Sequence, residues 1–306
     1  MSAALRFVDV VKAYGRDGKR ALDGLSFEVP TGAICGFVGP NGAGKTTTFS
    51  VVSGFLPPDS GQVEILDVGP FDPWRLKGRL GVLPQDAELP GRQTPLELLL
   101  HLGRLQGLSA ADARREAEEK IATVRLDDRA NDRIDALSHG MRRRVAVASA
   151  LIGSPQLVLL DEPSAGLDPV QARALREALG ALRGRVTLVV SSHNLAEIEQ
   201  ICDHVVMIDR GRCLRQGSLA AVTGQQERLE WALGPGDLDV DGLRDALPGC
   251  QVSLDGRDLS IVAIDADLDA IVLTVMARLV AARVAVRELR RGVSLEERFV
   301  GDSAAG

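Results

Sequence analysis

The run Gly39-Pro40-Asn41-Gly42-Ala43-Gly44-Lys45-Thr46-Thr47 fits the spacing G-x-x-x-x-G-K-[ST] of a phosphate-binding loop. Glycines at 39, 42 and 44 open backbone conformations closed to other residues, so successive N–H groups can face one anion. Lys45 is placed to reach the β- and γ-phosphates of a nucleotide, and the Thr46 hydroxyl to hold Mg²⁺. A second run, Leu157-Val158-Leu159-Leu160, is apolar and ends in two carboxylates, Asp161 and Glu162. Strand ends of this kind are where ligands sit in open α/β sheets. Asp161 is expected to hold Mg²⁺, directly or through water, and Glu162 to polarise the water that attacks a γ-phosphate. His193 follows a further strand-like run, Val186 to Ser191, from which it could touch the same phosphate. A lone histidine is usually structural, so His193 counts only in this company. The loop is expected to bind a nucleoside triphosphate.

Such groups need elements to carry them. Ala33 to Val38 reads as a buried strand entering the phosphate loop, and Thr46 to Val52 as a helix whose positive end faces the anion. Before them, Leu5 to Val10 and Leu25 to Val29 read as strands, with Tyr14 in a polar turn, Gly15 to Gly18. After them come short strands at Val63 to Leu66 and Leu80 to Leu83, around a brief helix near Asp72 to Lys77. Thr94 to about Pro155 is almost wholly helical, with starts at Thr94 and Ser109. Strands alternating with helices on either side imply an α/β fold with a largely parallel sheet covered on both faces.

Composition bounds the function. With 306 residues, 45% hydrophobic and 25% charged, the chain reads as a soluble globular protein of one large and one smaller domain. A net charge of −6 argues against a general nucleic-acid surface. Cys35, Cys202, Cys213 and Cys250 show no metal-ligand spacing and are expected as free thiols in a reducing cytosol. Met1 to Arg6 has no apolar signal region, and the apolar tract Ile271 to Val286 is broken by Arg278 and Arg283. Any membrane role therefore falls to a partner chain.

Together these residues resemble a family, the ATP-binding-cassette (ABC) ATPases, over residues 4 to about 220. Leu137-Ser138-His139-Gly140-Met141 stands where that family has its LSGGQ signature, with His139 for a glycine and Met141 for the glutamine. Ser164-Ala165-Gly166-Leu167-Asp168 looks like the D-loop, Gln85 like the Q-loop glutamine, His193 like the switch histidine and Tyr14 like the aromatic that stacks on adenine. The resemblance implies a P-loop NTPase domain over 1–224, with an inserted helical subdomain at about 94–155. It also implies a head-to-tail dimer that sandwiches two ATP molecules, each with Mg²⁺ held by Thr46, Asp161 and Gln85. Ser138, His139 and Gly140 would face the partner's ATP, from a helix running to Ile152 that Ser138 can cap. Its face of Met141, Val145, Ala148 and Ile152 is expected in the core, with Arg142, Arg143 and Arg144 turned outward to solvent or nucleotide.

Two classes of cassette ATPase compete, the motor of a membrane transporter and a soluble ATPase acting on ribosomes or DNA. One cassette and a short helical insert favour the motor. Its partners would be a second copy or a paralogous ATPase and a separate permease, at the cytoplasmic side of the cell membrane, without nucleic acid. The run Gly39 to Thr48 and the segment Val293 to Phe299 resemble exporter subunits, with an importer subunit as the alternative. Residues 225–306 carry no nucleotide motif. Their order β-α-β-β-α-β, with an Asp255-Gly256 hairpin signal, suggests a ferredoxin-like α+β accessory domain. A dimer clamp, a regulatory sensor and a structural appendage all stay open for it.

Overall fold

Alternation along β1 (Ala3–Tyr14) and β2 (Lys19–Pro30) buries Leu5, Phe7, Leu25, Phe27 and Val29 while Arg6 and Glu28 stay exposed. The strands pair antiparallel with Phe7 opposite Phe27, and Arg6 and Glu28 form an ion pair at 2.7 Å. The computed structural model describes residues 2–15, 18–224, 228–263 and 266–305. Both strands outrun the segments expected from alternation. The cause is a bulge: Asp9 takes a left-handed backbone (φ 49°), and the register slips between Phe7 and Val10. Tyr14 therefore ends β1 rather than following it, and Arg16 and Asp17 of the expected turn lie outside the described residues.

Next come β3 (Ile34–Val38), α1 (Lys45–Val52) and β4 (Ser60–Ile65), the last pairing with β1 to make a three-stranded sheet, β2-β1-β4. No helix forms near residues 72–77. Asp72 Oδ1 accepts the N–H groups of Trp74 and Arg75, and the Asp72 carbonyl that of Leu76 at 2.9 Å, a single capped turn that is not continued. After β5 (Leu80–Leu83) the helices α2 (Pro95–Leu105), α3 (Ala110–Thr123) and α4 (His139–Ala150) follow. Thr94 and Glu97 close a reciprocal capping box on α2, and Ser109 caps α3.

The remaining elements of the first unit are β6 (Leu157–Asp161), α5 (Pro169–Gly180), β7 (Thr187–Ser192), α6 (Leu195–Ile201), β8 (His204–Asp209) and β9 (Arg212–Ser218). The six-stranded sheet has the order β5-β6-β7-β3-β8-β9, parallel from β5 to β8. Every residue of β3, β6 and β7 is buried, as strands covered on both faces must be. Because β3 lies between β7 and β8, the phosphate loop leaves the middle of the sheet at the edge where β6 and β7 also end. A chain of rings, Phe7–Phe27–Phe37–Phe49, with centroids 4.7, 5.2 and 6.0 Å apart, ties the antiparallel sheet to β3 and α1.

The chain divides into two compact units, Met1–Gln216 and Gly217–Gly306. The second holds α7 (Leu219–Thr223), β10 (Arg228–Leu233), α8 (Val240–Ala246), β11 (Gln251–Asp255), β12 (Asp258–Val262), α9 (Leu268–Ala281), β13 (Val286–Arg291) and α10 (Leu295–Ala305). Its sheet is antiparallel in the order β11-β12-β10-β13, the strand order of a split βαβ unit. Trp231, Leu259, Ile261, Val275 and Leu279 form its core. Within the second unit α7 is tied to the C-terminal segment: Arg298 Nε donates to the Val222 carbonyl at 2.9 Å and Val293 N–H to that of Thr223 at 2.8 Å. Residues 225–227 lie outside the described residues. Among the described residues no helix is long and apolar enough to cross a membrane.

Candidate functional site

Close backbone packing shapes the phosphate loop. At Gly39 a Cβ would come within 2.4 Å of the Ile208 carbonyl oxygen. Gly44, at φ 113°, starts α1, and a Cβ there would lie 2.8 Å from the Ala21 oxygen. Larger residues fit at neither position. The loop is also stitched from behind: Gly211 N–H donates to the Ala43 carbonyl at 2.9 Å, and Asp23 N–H to that of Gly211 at 3.0 Å. Lys45 is buried, and its Nζ donates to the carbonyls of Gly39 at 2.6 Å and Pro40 at 3.2 Å. Burial pushes its ammonium below the ordinary lysine range, against the pull of the Glu162 and Asp161 charges.

A cavity of about 630 Å³ opens over this loop. Asn41, Gly42, Gly44, Lys45, Thr46 and Thr47 line it, as do Gln85, Asp161, Glu162, Ala165 and His193. Tyr14, 44% exposed, also lines it, with its hydroxyl 3.4 Å from Thr47 Oγ1. Gly39, Pro40 and Ala43 support the loop without facing the cavity. Lys19 and Arg20 line it as well, two cations that the motif reading passed over. The Thr46 hydroxyl, the Gln85 amide and the Asp161 carboxylate offer the hard oxygen donors that suit Mg²⁺ beside phosphates.

One serine that the sequence did not single out touches both acids, the carboxylate of Asp161 and the main chain of Glu162. Ser191 donates its hydroxyl to Asp161 Oδ1 and accepts the Glu162 N–H at 3.0 Å, so one side chain orients both acids. Glu162 has φ 49°, a left-handed conformation that costs a non-glycine residue about 1–3 kcal/mol. Its Oε2 lies 2.8 Å from Nδ1 of His193, a mostly buried carboxylate against an exposed imidazole.

The three arginines of α4 do not turn outward. Arg142 Nη1 donates to the Leu137 carbonyl at 2.9 Å, and Arg144 Nη1 to those of Val124 and Arg125, both at 3.0 Å. Arg143 is only 9% exposed and reaches the carbonyls of Gln85, Asp161, Glu162 and Pro163. Loops that end strands and helices leave carbonyls without partners, and a guanidinium with five N–H donors can satisfy several at once.

Ser138 caps α4 by accepting the Met141 N–H at 3.2 Å, and both Ser138 and His139 are exposed. Val145 and Ala148 are buried as expected, whereas Met141 is half-buried. A side chain at Gly140 would strike the Gln171 amide and crowd Leu167, and one at Gly166 would meet the His139 ring. Asp168 caps α5 by accepting the Gln171 N–H at 2.9 Å, and Ser164 Oγ bonds Glu197 Oε2 at 2.5 Å. The segment 138–140 thus packs on 164–168 of the same chain, and of these residues only Ala165 lines the cavity.

Several known proteins are similar to this chain. The family model described as ABC transporter matches residues 22–165. Nod factor export ATP-binding protein I of Paraburkholderia xenovorans (strain LB400) is 35% identical over 306 residues, 97% of this chain and 96% of that protein. Linearmycin resistance ATP-binding protein LnrL of Bacillus subtilis (strain 168) is 35% identical over 219 residues, 70% of this chain and 69% of its own length. Among solved structures, cbiO1 from Clostridium perfringens, part of the ABC transporter complex cbiONQ, superimposes with a TM-score of 0.66 at 25% identity. The match covers 74% of this chain and 92% of that one.

Proposed function

The chain belongs to the ATP-binding subunits of the ABC transporter family, and from that premise we propose that it drives an exporter through a separate membrane-spanning permease. It is an ATPase, the motor of a transporter. The observation that supports export is the match to a protein named for export along 97% of the chain, both units included.

In this reading ATP enters the cavity over the phosphate loop, and Lys45 exchanges the carbonyls of Gly39 and Pro40 for the β- and γ-phosphates. Tyr14 stacks on the adenine. Thr46, Asp161 and Gln85 would hold Mg²⁺, whose charge, when bound, offsets that of the phosphates. Glu162 takes a proton from the attacking water as its oxygen bonds the γ-phosphorus, and the bond to the ADP oxygen breaks. His193, already 2.8 Å from that carboxylate, orients the γ-phosphate and the water.

Ser138, His139 and Gly140 serve the nucleotide of a second cassette, a copy of this chain or a paralogue. Their support is placement: they lie with Ser164, Gly166, Leu167 and Asp168 on a surface apart from the chain's own cavity. The loop Asp86 to Gln93, which follows Gln85, meets the permease. The protein therefore works at the cytoplasmic side of the cell membrane.

Two measurements test this. Affinity purification from native membranes should recover a polytopic membrane chain, and recovery of ribosomes alone would overturn the transporter assignment. Ser138→Arg should leave ATP binding by the monomer nearly intact but lower hydrolysis about 10²-fold, the scale for losing a preorganised donor at developing charge. Normal hydrolysis in that variant would exclude the two-cassette site.

A further inference from the structure

We propose that Arg143 is a positioning residue for hydrolysis, a buried guanidinium that fixes the backbone pose of Glu162 and fastens it to Gln85 and to α4. The inference rests on the reading of Glu162 as the base that activates water. Among the described residues, all four hydrogen bonds of Arg143 run to main-chain carbonyls. Nη2 bridges Asp161 at 2.7 Å and Glu162 at 2.8 Å, Nη1 takes Gln85 at 3.0 Å, and Nε takes Pro163 at 3.3 Å.

This bridge bears on the left-handed backbone at Glu162. The consecutive carbonyls of Asp161 and Glu162 both turn to one nitrogen, an arrangement that sets two parallel dipoles side by side. A cation across their oxygens offsets that repulsion; without it the Glu162 carbonyl would keep only the Ala165 N–H, at 3.1 Å, and the repulsion would stand. The peptide would then relax toward an ordinary φ, and the Glu162 carboxylate would swing away from His193 and the cavity. Ser191 holds the N–H side of Glu162 and the Ala165 N–H its carbonyl, but neither is charged and neither spans both carbonyls as Arg143 does. Through Nη1 the same group fixes the main chain of Gln85, so a movement of α4 reaches the amide and the base together.

The test uses the full chain, with kcat, KM and nucleotide stoichiometry measured for Arg143→Lys and Arg143→Met, alone and combined with Glu162→Gln. Turnover per bound ATP should fall about 10²-fold in Arg143→Met, the effect of roughly 1 Å of misplacement, while the ATP Kd changes little. Arg143→Lys should recover part of the loss, since an ammonium can still bond two carbonyls. In the Glu162→Gln background neither substitution should slow single-turnover hydrolysis further, because Arg143 acts through that carboxylate.

A purely structural role would lower the melting temperature and the fraction of chains that bind ATP, yet leave turnover per bound ATP unchanged. That result, or additive losses in the double variants, overturns the proposal. If Arg143→Met does not fold, Arg143→Lys in the two backgrounds decides the matter alone. Normal turnover by Glu162→Gln would remove the base reading and this inference with it. A dead Glu162→Gln beside fully active Arg143 variants would remove the inference alone.

Discussion

Glu162→Gln should bind ATP with Mg²⁺ and hydrolyse it about 10²–10⁴-fold more slowly, the usual loss when general-base help is withdrawn. Glutamine has the size and shape of glutamate, and the bonds that hold this residue's backbone come from Ser191, Arg143 and the Ala165 N–H. The contact to His193 Nδ1 also survives, since an amide oxygen or nitrogen can occupy the place of Oε2. Only the ability to take a proton goes. The loss should therefore fall on kcat and spare nucleotide affinity, and an ATP-bound dimer should build up because its exit step is slow. Phosphate release in a single turnover, with sedimentation in ATP, measures both effects. A rate near that of the unmodified chain would strip Glu162 of the role.

Lys45→Ala should abolish tight ATP binding. A hydrogen bond to a charged group contributes about 1.5–3 kcal/mol, which is roughly a tenfold to hundredfold rise in Kd from one lost contact. The loss should reach the upper end of that range or beyond, because in the proposed site a buried ammonium would meet two phosphates. The same change strips the free loop of the two bonds from Nζ to the carbonyls of Gly39 and Pro40. Its N–H groups then lose the shape that lets them converge on an anion. Titration calorimetry with ATP gives the result directly, and an unchanged Kd would refute the assignment of this lysine.

The chemistry was legible because it sits where local signals are strongest. The phosphate loop combines a five-residue buried strand, glycines and a helix start within one stretch, and Asp161 and Glu162 end another fully buried strand. The second unit could also be read, since α8 and α9 have the bounds that pattern and caps suggest. What escaped were positions decided by distant chain. Arg143 sits among three arginines and looks solvated, yet it falls three residues after Gly140 and four before Val147, a stripe that α4 buries. β13 begins two residues later than Val284 because it is an edge strand in which Arg287, Glu288, Arg290 and Arg291 mask the pattern. The helix α10 did carry a local sign: Ser294 and Glu297 exchange the bonds of a capping box.

The stitch between Gly211 and Ala43 also sets an order of events during synthesis. The two residues are 211 − 43 = 168 apart in the chain, and the strands on both sides of β3 are likewise made late. At about 5–20 residues per second a ribosome needs roughly 8–34 s to travel from one to the other. Throughout that interval the residues of the phosphate loop exist without the backing that holds their shape. A nascent cassette should therefore be unable to retain ATP until β8 and β9 have emerged, and nucleotide capture becomes a late event that reports completion of the sheet.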